Sequence, residues 1–250
     1  MPMTEVLILG GTAEARTLAR KLDDAGIATV SSLAGRVQNP RLPVGEVRIG
    51  GFGGADGLAD WLRTRAVRAV VDATHPFAAQ ISTNAVRACA DAAVPLLRLT
   101  RPAWEPGPGD RWVPVPDITA AAAAVAQRGG RVFLTTGRQD VGAFAGIDDA
   151  WFLIRVVDPP GGPLPPNHEI LRSRGPYGLD DERALLAGAR IDLLVTKNSG
   201  GEMTRAKLTA AAEAGIEVIM VQRPIEAAQT RQARSAPEAA EWVQTVLAHR

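Results

Sequence analysis

Val6-Leu7-Ile8-Leu9-Gly10-Gly11-Thr12-Ala13-Glu14-Ala15 decides the fold. A short apolar run closed by glycines reads as a strand, and the stretch from Ala13 to Ala25 reads as the helix that follows it. An apolar strand that turns on glycines into a helix aims bare N–H groups and a helix N-terminus at one spot, where phosphate is favoured. The opening therefore points to a nucleotide on an α/β unit. The loop departs from the usual dinucleotide fingerprint, since Thr12 takes the place of the second glycine and Ala15 that of the third. A plain strand-to-helix turn capped by Thr12 stays open at this point. Glu14 suits the helix dipole but would repel a pyrophosphate unless it points away.

Outward from this loop, short β-rich runs alternate with helical stretches, the pattern of parallel sheets covered by helices. Strands are expected at 6–9, 28–32, 47–49, 69–72 and 96–99, with helices at 13–25, 55–64 and 77–92. Arg101-Pro102-Ala103-Trp104-Glu105-Pro106-Gly107-Pro108-Gly109 breaks regular structure. The expected division is a nucleotide-binding domain over 1–100, a linker over 101–116 and a second α/β domain over 117–250. In that second half helices are expected at 118–127, 181–189, 204–214 and 237–247, and strands at 132–135, 152–156, 193–196 and 218–221. The Pro-rich stretch from Asp158 to Pro166 reads as a surface excursion.

The 250 residues are 46% hydrophobic, enough to bury a sizeable core, and the formal net charge is +1. That balance argues against nucleic acid or an anionic membrane as the main partner. Of 28 basic residues only Lys21, Lys197 and Lys207 are lysines. The arginine excess suits a polyanionic ligand, although the accompanying Ala, Gly and Pro excess also fits a GC-rich genome. Cys89 is the only cysteine, so no intrachain disulfide forms and a reducing compartment is expected. The first apolar run is too short for a signal peptide or membrane span, and a cytoplasmic location is expected.

Past the second strand, Ser31-Ser32-Leu33-Ala34-Gly35-Arg36 offers hydroxyls and a guanidinium where an NAD enzyme carries an acid for the ribose. This points to NADPH, with Ser31, Ser32 and Arg36 on the 2′-phosphate, or to a merely solvated Arg36. Asp72, Thr74 and His75 gather at the carboxyl end of a parallel strand, with Pro76 suited to the first position of the next helix. His75 is a candidate proton donor, or a polar cap. Thr135-Thr136-Gly137-Arg138 and Thr196-Lys197-Asn198-Ser199-Gly200-Gly201 each end a strand and combine hydroxyl, glycine and cation, which suits oxyanions. Arg172-Ser173-Arg174-Gly175-Pro176-Tyr177 adds two arginines and the only tyrosine.

Several chemistries lack their residues. There is no Gly-x4-Gly-Lys-Ser/Thr phosphate loop and no Gly-x-Ser-x-Gly elbow. Tyr177 is followed four places on by Asp181, not by the lysine of a short-chain dehydrogenase. His75, His168 and His249 stand far apart without a cysteine cluster, so no metal site is expected.

The runs Gly10–Arg16, Asp72-Ala73-Thr74-His75-Pro76-Phe77-Ala78, Thr136-Gly137-Arg138, Arg174-Gly175-Pro176-Tyr177 and Lys197-Asn198-Ser199-Gly200-Gly201 resemble, in order and over almost the whole chain, the precorrin-6A reductase family of cobalamin biosynthesis. Tyr177 departs from that pattern, which has Phe. The resemblance implies two Rossmann-like lobes with an active-site cleft between them, and NADPH-dependent reduction of a carboxylate-rich tetrapyrrole to precorrin-6B. Gly10, Gly11, Thr12, Ser31, Ser32, Arg36, Thr74 and His75 are then expected to meet the cofactor, with His75, or Asp72 through water, or bulk solvent supplying the proton. Thr136, Gly137, Arg138, Arg174, Tyr177, Lys197, Asn198, Ser199, Gly200 and Gly201 are expected to meet the substrate, its acid side chains on Arg138, Arg174 and Lys197. A non-catalytic two-lobed ligand binder and an S-adenosylmethionine-dependent methyltransferase stand as alternatives. Binding of NADPH against S-adenosylmethionine separates them.

Overall fold

A computed structural model describes residues 5–35, 39–225 and 230–249. The chain forms β1 (Val6–Leu9), α1 (Ala13–Asp24), β2 (Thr29–Leu33), β3 (Glu46–Ile49), α2 (Gly54–Thr64), β4 (Ala69–Asp72), α3 (Ala79–Asp91) and β5 (Leu96–Leu99). It continues with β6 (Arg111–Val115), α4 (Ile118–Arg128), β7 (Gly130–Leu134), β8 (Ala150–Val156), β9 (His168–Arg172), α5 (Leu179–Gly188), β10 (Leu193–Lys197), α6 (Ala206–Glu213), β11 (Glu217–Val221), β12 (Arg231–Ala233) and α7 (Ala236–Ala248).

β1 is buried throughout and sends alternate side chains into two cores. Val6 and Ile8 pack with Leu18 and Leu22 of α1 and with Trp242 and Val243 of α7. Leu7 and Leu9 turn the other way, onto Leu58 and Leu62 of α2 and Ala85 and Cys89 of α3. A strand covered on both faces has no polar side, which explains its unbroken apolar run. In the other sheet, Phe133, Leu153, Leu194 and Met220 face Leu186 of α5 and Leu208 of α6. Phe152 meets Phe144 edge-on, with ring centroids 5.8 Å apart.

The strands form two six-stranded sheets, ordered β12-β5-β4-β1-β2-β3 and β6-β11-β10-β7-β8-β9, in which each pairing is parallel. Each contains the 3-2-1-4-5 order of a dinucleotide-binding fold and adds a sixth strand at the β5 or β11 edge. The sixth strands are exchanged along the chain. After β5 the polypeptide lays β6 and α4 on the second sheet, builds β7 to β11 there, and returns to lay β12 and α7 on the first.

Two units result, one made of Met1–Pro102 with Pro224–Arg250 and the other of Ala103–Arg223. This revises the division expected from sequence. The last stretch lies with the first unit, because β12 pairs with β5 (Arg231↔Leu97, Ala233↔Leu99) and α7 packs on α1. Residues 111–115 are a strand and not a linker. Pro114 is tolerated there because β6 lies at the sheet edge, where a missing donor costs little. The helix expected from Phe77 begins at Ala79, since His75, Pro76, Phe77 and Ala78 first make a turn closed by Ala78 N–H on the His75 carbonyl (2.8 Å). Proline favours the second place of such a turn. Among the described residues, no helix is long and apolar enough to cross a membrane.

Cys89 is buried beneath α3, and burial together with the nearby Asp72 carboxylate pushes its thiol up to about 12. Above about pH 8.5 an unfolded thiol ionises while the folded one keeps its proton. The folded state then binds more protons, so its stability falls as pH rises towards 12, by at most about 1.4 kcal/mol per pH unit. Cys89→Ala is expected to flatten this alkaline decline in denaturant titrations. Ellman's reagent should label wild-type Cys89 only after unfolding, and rapid labelling of the native protein would contradict the burial.

Candidate active site

Parallel pairing sets Leu9 beside Asp72, so the loops that leave β1 and β4 in opposite directions open a crevice at the carboxyl edge of the first sheet. Gly10 N–H donates to the Ser32 carbonyl (2.9 Å), and a Cβ on Gly10 would come into ordinary contact with Leu33, Ala15 and that carbonyl at 3.4 to 3.6 Å. Gly11 has φ +109° with open space around it, a conformation that glycine adopts without strain. The Thr12 hydroxyl accepts from Ala15 N–H (3.1 Å), capping α1, and donates to the Ala73 carbonyl (2.8 Å). One hydroxyl thereby ties both loops together. Glu14 is paired with Arg101 at 2.8 Å, so the neighbouring guanidinium offsets its charge.

At the tip of β2 the two serines differ. Ser31 is 1% exposed, and its hydroxyl has no hydrogen-bond partner among the described residues. It lines a small cavity with Gly10, Gly11, Leu33, Arg16 and Arg41. Ser32 accepts from Arg48 Nη1 (2.8 Å), and Arg48 also donates to the Gly50 and Gly51 carbonyls at 3.0 and 2.9 Å. The Arg48 guanidinium lies 3.7 Å over the Phe52 ring, and burial lowers its pKa. Arg36 lies outside the described residues. Sequence reading missed Arg48; the signal was its place on β3 directly opposite Ser32, which only the register reveals.

On the other side of the crevice Asp72 is 2% exposed. Its carboxylate accepts from Thr74 N–H (3.0 Å) and the Thr74 hydroxyl (2.7 Å), and it pairs with Arg98 Nη1 at 2.9 Å. Arg98 stands opposite Asp72 on β5 and also reaches the Thr74 carbonyl (3.2 Å). Asp72 Oδ1 is thus engaged in shaping the loop. His75 Nδ1 accepts from Phe77 N–H (3.3 Å) when the ring is neutral.

The second sheet repeats the arrangement, with β7 and β10 paired up to Leu134↔Val195. The loop after β7 carries Thr136, Gly137 and Arg138, and that after β10 carries Asn198 to Gly201. Lys197 pairs with Asp140 across the two loops. Asn198 does not offer its side chain to a ligand. Its amide clasps the Trp104 backbone, accepting from Trp104 N–H (2.8 Å) and donating to its carbonyl (3.0 Å). Trp104 Nε1 donates to the Gly201 carbonyl (3.0 Å), and Arg223 Nε to the Asn198 carbonyl (2.8 Å). Gly200 and Gly201 have φ of +69° and +80°. Arg174 is exposed. Tyr177 is instead a packing residue: its ring lies 4.0 Å from the Arg155 guanidinium, which pairs with Glu182 inside the core, and its hydroxyl donates to the Ser173 carbonyl (3.2 Å). Among the described residues no group of three His, Cys, Asp or Glu could hold a metal ion.

Residues 5–244 match the family model described as Precorrin-6x reductase CbiJ/CobK. A precorrin-6A reductase from Rhodococcus erythropolis is 54% identical over 245 residues, covering 98% of this chain and 99% of that protein. One from Mycobacterium tuberculosis is 56% identical over 242 residues, with 96% and 98% covered. Among solved structures, CobK precorrin-6A reductase superposes with a TM-score of 0.91 at 43% identity, covering 98% of this chain and 97% of that one. A match of this extent, over both sheets and both sets of loops, makes the chain a member of the precorrin-6x reductase family.

Proposed function

We propose that this chain reduces precorrin-6A to precorrin-6B with NADPH, in the cytoplasm, the first unit holding the cofactor and the second the acid side chains of the macrocycle. The observation that carries the cofactor assignment is the Ser32–Arg48 bond at the tip of β2, where an NAD enzyme would place a carboxylate. The unpartnered Ser31 hydroxyl and the open, positive-φ Gly11 fit a phosphorylated ligand beside the α1 N-terminus. Gly10, Gly11 and Thr12 would hold the diphosphate, and Ser31, Ser32 and Arg48, with Arg36, the 2′-phosphate. Thr74 and His75 would meet the nicotinamide half.

When bound, NADPH supplies the hydride. The chain must orient the reactants, exclude water and deliver one proton. As the imidazolium, with both ring nitrogens protonated and Nδ1 no longer accepting from Phe77 N–H, His75 donates that proton from Nε2. Asp72 and Arg98 act as positioning residues, since they hold Thr74 and the start of the His75 turn by buried charge-assisted bonds. Arg138, Arg174 and Lys197, with Thr136, Gly137, Ser199, Gly200 and Gly201, take the substrate carboxylates. Asn198 and Tyr177 hold those loops in shape.

Arg48→Ala should raise the KM for NADPH by about tenfold to a hundredfold, the loss of charge-assisted bonds, and leave the KM for NADH within threefold. Equal effects on both would remove the 2′-phosphate assignment. Replacing His75 with Ala is expected to lower kcat about a hundredfold and to abolish the fall in rate on its alkaline side; an unchanged pH–rate profile would end its role as acid. Arg98→Met leaves a buried carboxylate unpaired and should cost about 3 kcal/mol in stability, which the double variant Asp72→Asn, Arg98→Met partly restores. If the double variant is no more stable than the single one, the pair does not organise the loop.

A further inference from the structure

We propose that the buried Arg155–Glu182 pair is a positioning element for substrate binding: Arg155 carries the Tyr177 ring and so fixes the loop that presents Arg174. This rests on the reading above that Arg174 takes a substrate carboxylate.

β8 reads Ala-Trp-Phe-Leu-Ile-Arg-Val, with Arg155 as its one charged residue among side chains of the core. Arg155 is 8% exposed and Glu182 1%. Arg155 Nη1 comes within 2.8 Å of Glu182 Oε1. Yet Nη1 and Nε of Arg155, and Oε2 of Glu182, have no partner in hydrogen-bond geometry among the described residues. A buried ion pair completed so sparingly stabilises a fold no better than two apolar side chains of the same size. Its use lies in what it touches.

It touches the ends of one loop. The Arg155 guanidinium lies 4.0 Å from the centre of the Tyr177 ring and 4.6 Å from that of Phe133, a core residue of β7. Glu182 stands in the first turn of α5, where its N–H donates to the Gly178 carbonyl (3.1 Å). Arg155 therefore holds Tyr177 directly and, through Glu182, the start of the helix into which the loop runs. At the other end Ser173 N–H donates to the Val156 carbonyl (3.0 Å). Arg174 is thus set between two anchors on neighbouring residues of β8. Tyr177 N–H also donates to the Met203 carbonyl (3.3 Å), which joins the same anchor to the turn that follows Gly201.

A guanidinium attracts the face of an aromatic ring, so the contact fixes where Tyr177 lies as well as burying it. A loop ordered in advance loses little freedom when its ligand arrives, and the binding is tighter for it.

The test replaces the pair by apolar side chains of similar size, Arg155→Met together with Glu182→Leu, because either change alone leaves a buried charge unpaired. The double variant should unfold at no lower urea concentration than wild type. Its KM for tetrapyrrole should nevertheless rise about tenfold, the effect of ordering the loop on binding, with kcat and the KM for NADPH within about twofold of wild type. Under native conditions trypsin should cut its Arg174–Gly175 bond faster. Tyr177→Leu, which removes the ring and keeps the pair, should show the same raised KM and faster cut, and Tyr177→Phe, which keeps the ring, should restore both. An unchanged KM for tetrapyrrole in the double variant and in Tyr177→Leu overturns the proposal, and so does a KM for NADPH that rises in step with it. Arg174→Ala isolates the underlying reading: if its KM for tetrapyrrole is that of wild type, this loop does not hold substrate. A raised KM in Arg174→Ala with none in the double variant removes the positioning role alone.

Discussion

Parallel pairing of β1 with β4, and of β7 with β10, is the constraint from which the functional loops follow. Strands that lie side by side in the same direction must send their continuations to opposite sides if their helices are to cover both faces of the sheet. Two loops then part at one edge, and the backbone groups at their tips have no ladder partner. In the first unit Thr12 bridges the parting loops with a single hydroxyl, and the Arg98–Asp72 pair stiffens one of them. In the second the same task falls to Asn198, Trp104 and Arg223.

The two solutions differ in their chemistry because their surroundings do. Beside β1 a long helix begins, and the fixed dipole of its first turn is available to a phosphate. Beside β7 the helix is reduced to a short turn and the local charges are an arginine, a lysine and an aspartate. A common scaffold thereby ends one edge at the N-terminus of a long helix and the other at a short turn flanked by charged side chains.

Much of this is visible in sequence, and the exceptions have physical causes. Nine of the ten strands that form the 3-2-1-4-5 cores lie within a residue or two of their expected place. β9 carries His168, Glu169 and Arg172 and shows no apolar run. β6 and β12 were hidden for related reasons: one contains Pro114, and the other is the three residues Arg231-Gln232-Ala233. Helix α7 was found, but an apolar helical face does not state which sheet it will cover, so its unit was misassigned. The glycine and lysine loops were legible because their residue types are demanded locally. Arg48, Arg98, Asp140 and Trp104 were not, because each acquires its meaning from a neighbour on another strand or loop. The roles of Asn198 and Tyr177 were read as ligand contacts for the same reason, their backbone and ring partners being remote in sequence.

The exchange of edge strands has a consequence for the order of synthesis. When a nascent chain has emerged as far as β5, three of the four helices that cover the first sheet are in hand, yet α7, which shares the cover of Val6 and Ile8 with α1, and the strand that seals β5 have still to be translated. At about 5–20 residues per second that flank lies bare on the ribosome for roughly ten seconds, while the whole of the second unit is made. Arg98, which points inward from β5 to Asp72, then acts as a gatekeeper: a buried charge on an unsealed strand discourages a second nascent chain from pairing there.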